Sequence, residues 1–276
     1  MDYVKPAELI TQMVEAGARK ARLSIGQLLL RGMLSGAFLG VSTSLAVGAN
    51  VQTGQPIVGA LVFPVGFVMI CLLGLELVTG SFALLPVAAL DGRAGAAQVL
   101  KNWFWVFVGN LVGSLIYAAL ITIVLTNGGT GAPNAVGQAI VKIAQAKTLA
   151  YQHLGGAGLL TAFVKAMLCN WMVCLGVAMS MIATSVFGKI VAAWLPILIF
   201  FAQGFEHAVV NMFVIPAGMM MGAPVSLSTW WLWNQIPVTL GNIVGGFLFT
   251  GLALYATQRE PKGKVDAASG ERVSAA

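Results

Sequence analysis

Apolar residues dominate six stretches of the chain, near 32–49, 57–90, 103–126, 158–186, 190–221 and 230–256, and polar or charged residues fill the gaps. A helix of about 20 apolar residues spans a bilayer, so this pattern predicts six transmembrane helices. The second and fifth stretches are too long for one straight span, which implies tilt or breakage. They are also built alike. The second reads Phe63-Pro64 … Gly74-Leu75-Glu76-Leu77-Val78-Thr79 … Pro86, and the fifth reads Leu195-Pro196 … Gly204-Phe205-Glu206-His207 … Asn211 … Pro216. In each, a carboxylate follows a Gly by two residues and precedes a Pro by ten. The expectation is two broken helices, restarting near Leu77–Thr79 and His207–Val209.

The similarity continues on both sides of the breaks. Arg31-Gly32-Met33-Leu34-Ser35-Gly36 in the first span answers to Lys165-Ala166-Met167-Leu168-Cys169-Asn170 in the fourth. Asn102 … Gly109-Asn110-Leu111-Val112-Gly113 in the third returns in the sixth as Asn234 … Gly241-Asn242-Ile243-Val244-Gly245. Six spans divided three and three place the halves in opposite senses in the membrane, as an inverted repeat. The fold class is therefore an all-α membrane protein with a 3+3 inverted repeat and helices 2 and 5 broken. The segments are an amphipathic N-terminal helix (1–26), the first repeat (27–126), an outer loop with a surface helix (127–157), the second repeat (158–257) and a charged, disordered tail (258–276). In the first segment Leu9, Ile10, Met13, Val14, Gly17, Ala18 and Ala21 share one helical face. With Arg19, Lys20 and Arg22 beside it, that face fits the inner leaflet or the protein's own bundle.

Composition agrees with a membrane protein: mean hydropathy is +0.89 and only 9% of residues are charged. The net charge of +6 sets orientation and does not suggest nucleic acid. Under the six-span reading, twelve of the fifteen basic residues fall on the side of the termini, leaving Lys142, Lys147 and Lys165 opposite. Both termini are thus expected in the cytoplasm, with the chain in a bacterial inner membrane. Trp103 and Trp105, and Trp230, Trp231 and Trp233, read as interfacial anchors. Cys71, Cys169 and Cys174 have no metal-ligand spacing and read as packing residues. No metal or cofactor is expected.

The chemistry is expected where the half-helices restart. Two helix N-termini meeting at the midplane favour an anion. Glu76 and Glu206 fall there and read first as caps of the freed backbone. His207 is one of two histidines, and imidazole titrates near neutrality. It is expected to donate a hydrogen bond to an oxyanion or exchange a proton with it. Thr79, Asn170 and Asn211 are the polar residues nearby. The bulky residues Phe63, Phe67, Leu77, Val173 and Phe200 suit hydrophobic constrictions, and equally ordinary packing.

Gly74-Leu75-Glu76-Leu77-Val78-Thr79-Gly80-Ser81, Lys101-Asn102-Trp103, Leu168-Cys169-Asn170-Trp171-Met172-Val173-Cys174-Leu175 and Gly204-Phe205-Glu206-His207-Ala208-Val209-Val210-Asn211-Met212-Phe213-Val214-Ile215-Pro216 together resemble the formate/nitrite transporter family. The resemblance covers roughly residues 5–256. It implies an aquaporin-like fold of six spans, a homopentamer with one pore per protomer, and passage of formate, nitrite, hydrosulfide, lactate or similar small monovalent anions. It makes His207 the central histidine, Thr79 and Asn170 its polar partners, and Phe63, Phe67, Leu77, Val173 and Phe200 the constriction. Phe67 stands where a Leu is expected. A vestibule lysine precedes the span-four Asn in many members; Leu154 occupies that spacing here, and an insertion of about seven residues makes Lys147 the nearest equivalent. The expected function is a channel or transporter for formate or nitrite, with proton exchange at His207. The partners are protons, small monovalent anions, the lipid bilayer and further copies of the chain. The rivals are a channel for water or neutral solutes, and a family member specialised for hydrosulfide or bicarbonate. No Asn-Pro-Ala motif marks either half-helix, and the spans hold no nucleophile–base pair that would suggest an enzyme.

Overall fold

The structure, a computed structural model, describes residues 3–259. The tail expected from 258 on falls outside that range beyond Arg259, and with it Lys262, Lys264 and Arg272. The regular structure of the described residues is helical, apart from a single antiparallel bridge between Tyr3 and Ala183. Among the described residues, four helices have the length and hydropathy to cross a membrane. We number all helices in chain order, so these are α2 (Ile25–Thr53), α5 (Ala96–Leu125), α8 (Gly156–Ile182) and α11 (Leu227–Gln258). The second and fifth apolar stretches each divide in two, giving α3 (Pro56–Leu72) with α4 (Val78–Leu90), and α9 (Val186–Ala202) with α10 (Ala208–Met220). Two shorter helices, α6 (Ala135–Ala146) and α7 (Leu149–Leu154), occupy the central loop.

The start of α2 lies ahead of the apolar stretch because the backbone amides there are satisfied locally. Ser24 accepts from the Gln27 amide while Gln27 reaches back to the Ser24 amide, a reciprocal cap. Arg31 therefore sits inside the helix instead of opening it.

The long helices pack through small residues, as expected where lipid supplies no competing hydrophobic drive. A Cβ on Gly36 of α2 would strike the Asn110 carbonyl of α5, and one on Gly245 of α11 would strike the Met167 carbonyl of α8. Both crossings need bare backbone. A π turn spans Trp231–Gln235, and within it the adjacent Asn234 and Gln235 are both buried.

The N-terminal helix α1 (Pro6–Ala21) lies against the bundle, the second of its two expected placements. Its Leu9, Ile10, Met13 and Val14 pack with Leu84 and Val87 of α4, Ala178 of α8 and Tyr255 of α11. The Val4 amide then bonds to the Ile182 carbonyl at 2.8 Å. Large apolar side chains such as Leu30, Phe104, Leu120, Leu160 and Leu248 remain exposed. They form an outer surface suited to lipid or to other subunits.

Candidate site where the half-helices meet

The two breaks are made by the same local chemistry. After α3 the chain turns at Gly74 and after α9 at Gly204, each with φ of 62°, a conformation that costs a side-chain-bearing residue but not Gly. The Leu75 amide bonds back to the Ile70 carbonyl, and the Phe205 amide to the Phe200 carbonyl. These close the first half-helices in the manner of a Schellman motif. The chain then runs extended to Leu77 (φ −117°, ψ 120°) and His207 (φ −112°, ψ 119°), which cap α4 and α10.

Two asparagines tie these restarts to the long helices. Asn110 of α5 accepts from the Val78 amide at 3.0 Å and donates to the carbonyls of Gly32 and Glu76. Asn242 of α11 accepts from the Ala208 amide at 2.9 Å and donates to the carbonyls of Ala166 and Glu206. Freed backbone in a bilayer must be satisfied inside the protein, and each asparagine meets that need with three bonds. Neither is among the site residues expected from sequence. The signal was present in the repeated Gly-Asn-x-Val-Gly, but the repeat alone does not say what the side chain holds.

At the centre, Thr79 Oγ1 and His207 Nε2 are 3.1 Å apart. The start of α4 and the start of α10 thus meet side chain to side chain. His207 Nδ1 accepts from the Val210 amide at 3.2 Å. That bond assigns the proton of a neutral ring to Nε2, which donates to the Thr79 oxygen. Thr79 keeps its own hydroxyl hydrogen for another acceptor. Formation of an imidazolium would require release of the Val210 amide, because Nε2 already carries its hydrogen. Phe200 stacks on the imidazole, with centroids 5.7 Å apart and planes at 19°.

Asn170 is buried beside this pair, but both amide hydrogens are committed. They reach the Thr79 carbonyl at 3.1 Å and the Asn242 carbonyl at 2.6 Å. Its free group is Oδ1, an acceptor with no partner among the described residues. Asn170, on α8, thus ties the half-helix α4 to the long helix α11. Phe63, Phe67, Leu77, Val173 and Phe200 all belong to one buried apolar cluster around the centre. Phe63 stacks on Phe201 at 3.9 Å and meets Phe200 edge-on. Phe67 and Leu77 also line a cavity of about 790 Å³ whose wall includes Lys20, Arg31, Glu76 and Lys189.

Each carboxylate is paired with a lysine. Lys20 Nζ lies 2.8 Å from Glu76, and Lys147 Nζ lies 2.9 Å from Glu206; each lysine side chain is 18% exposed and each glutamate 2%. Lys147 is therefore a largely enclosed partner of Glu206. Asn102 donates to the Lys20 carbonyl and Asn234 to the Lys147 carbonyl, holding both lysine backbones alike. Asn211 sits in the Glu206 network, donating to Glu206 Oε2 at 2.7 Å and to Asn234 Oδ1 at 2.8 Å. Tyr151 of the outer α7 donates to Glu206 Oε1 at 2.8 Å. Burial and the nearby carboxylate push its phenol up from the usual value, so the donor keeps its proton. Tyr151 and Lys20, like Asn110 and Asn242, take a part in the site that was not expected from sequence.

A family model described as Formate/nitrite transporter matches residues 7–256. A Probable formate transporter of Methanothermobacter thermautotrophicus is 34% identical over 270 residues, covering 92% of this chain and 97% of that protein. Formate channel FocA of Escherichia coli (strain K12) is 31% identical over 278 residues, covering 92% and 94% respectively. Among solved structures, an FNT family ion channel superposes with a TM-score of 0.78 at 30% identity, covering 91% of this chain and 99% of its own. A pentameric formate channel with formate bound gives 0.68 at 26% identity, covering 84% and 96%.

Proposed function

Because the chain belongs to the formate/nitrite transporter family, we propose that it is a homopentameric membrane channel for small monovalent anions. Formate is the first candidate and nitrite the second, with one pore in each protomer. In this reading the halves insert in opposite senses, both termini face the cytoplasm, and the membrane is a bacterial inner membrane.

The observation that carries the proposal is the Thr79–His207 pair, set where two half-helices begin and enclosed by apolar side chains. Helix N-termini favour negative charge. The apolar ring excludes an anion that keeps its water. The imidazole Nε2–H turns the Thr79 oxygen into an acceptor, so the hydroxyl hydrogen points to the passing anion. One fixed donor compensates part of the lost hydration without trapping the ion. Carrying a proton with the anion removes the remaining charge penalty in the apolar slits. Proton exchange at His207 itself proceeds through opening of the Val210 bond.

The test is uptake of formate, nitrite and water into proteoliposomes, with pH recorded on both sides, for the wild type and His207→Asn. Formate and nitrite should enter with protons in the wild type, and His207→Asn should alter the pH profile. Water flux without anion flux would overturn the anion reading. Equal proton coupling in both proteins would leave His207 as a hydrogen-bond donor alone.

A further inference from the structure

The two buried carboxylates occupy matched positions but are held differently. Glu206 Oε2 takes hydrogen bonds from Lys147, Asn211 and Asn234, and Oε1 takes one from Tyr151, so both oxygens are engaged. Glu76 meets Lys20 through Oε1, while its Oε2 is buried and without a partner among the described residues. The sequence explains the difference. Where α10 has Asn211, α4 has Ser81, 130 residues earlier, and that shorter side chain is itself without a partner. The counterpart of Asn234 is Asn102, whose amide goes to the Lys20 carbonyl and not to the carboxylate. A buried acceptor left empty is costly and calls for a donor. Glu76 lines the cavity of about 790 Å³ together with Phe67 and Leu77, so a donor reaches it along the same route as the permeating species.

We propose that Glu76 Oε2 is the proton acceptor for the permeating acid at this mouth of the pore; this rests on the reading above that the anion crosses with a proton. The neutral acid emerging past Phe67 and Leu77 presents its O–H to Oε2. The acid's O–H bond breaks, a new O–H bond forms on Glu76, and the anion left behind is taken by the Lys20 ammonium. The proton then passes from Glu76 to water in the cavity. The groups facing this position are Arg19 and Lys20 from α1, Arg31 from α2 and Lys189 from α9, all cations, with Cys71 from α3 the remaining titratable neighbour. Cations stabilise the released anion over the neutral acid. They stabilise the Glu76 carboxylate as well, so Glu76 holds the proton only while the anion occupies the Lys20 ammonium. Glu206, with four donors around it, has neither oxygen without a partner and serves as a fixed counter-charge to Lys147.

The experiment uses the full-length protein in proteoliposomes of defined orientation, with formate as the probe and pH dyes on both sides. Glu76→Gln keeps an acceptor for Lys20 but cannot take the proton. Its formate flux should fall about tenfold, a barrier increase near 1.4 kcal/mol. Its dependence on pH at the cavity face should flatten, while the dependence at the opposite face stays as in the wild type. Glu76→Asp should recover part of both. A cavity-face pH profile unchanged in Glu76→Gln overturns the inference and leaves the proposed channel standing. A wild type that moves formate without protons overturns both. If Glu76→Gln does not assemble, infrared difference spectra of the wild type decide. Formate at acid pH should bring up a protonated-carboxyl band that persists in Glu206→Gln, and its absence overturns the proposal.

Discussion

Thr79 is the residue on which both half-helices converge. Its hydroxyl meets His207, and its carbonyl takes the Asn170 amide and the Cys174 thiol. Thr79→Val keeps the volume and removes the hydroxyl. Since a hydrogen bond to a charged group contributes roughly 1.5–3 kcal/mol, formate flux should fall between about tenfold and a hundredfold. Thr79→Ser should stay near wild type. Stopped-flow light scattering on proteoliposomes measures this; full flux in the valine variant would mean that His207 meets the anion directly. The sequence marked Thr79, His207 and Asn170 as polar groups among apolar ones, and the structure brings the three together. The sequence did not reveal which atoms are free. The hydrogens of Asn170 are spent on carbonyls far away in sequence, and no local pattern encodes that.

At the scale of elements, the breaks were legible because Gly and a carboxylate recur at fixed spacing inside apolar stretches too long for one span. The ties that hold the breaks were not. Asn242→Ala would leave the Ala208 amide and the carbonyls of Ala166 and Glu206 without their partner, at a cost of about 1–3 kcal/mol for each buried group. The melting temperature in detergent should fall by several degrees, and Asn110→Ala should do the same. An unchanged melting curve in either variant would show that water replaces the asparagine. The placement of α1 was open for a different reason: an apolar helical face suits lipid and protein equally. Close packing of Gly17 against the Leu84 carbonyl, where a Cβ has no room, is what settles it. Gly17→Leu should therefore release α1 from the bundle, seen as faster hydrogen exchange over residues 6–21 with α8 unaffected.

For the whole molecule, the positions of basic residues predict that tags at both termini resist protease added outside spheroplasts. Cleavage at one terminus only would remove the six-span topology. The same scale shows what the bond between His207 Nδ1 and the Val210 amide accomplishes. While that bond holds, the ring cannot take a proton on one side and release it on the other. The centre of the pore is in that respect an electrical insulator. In the channel proposed above, protons cross only in company with an anion, so proteoliposomes under a pH gradient, without formate or nitrite, should lose that gradient no faster than empty ones. On that proposal, a cell carrying many copies of such a pore would keep the charge across its membrane while formate equilibrates.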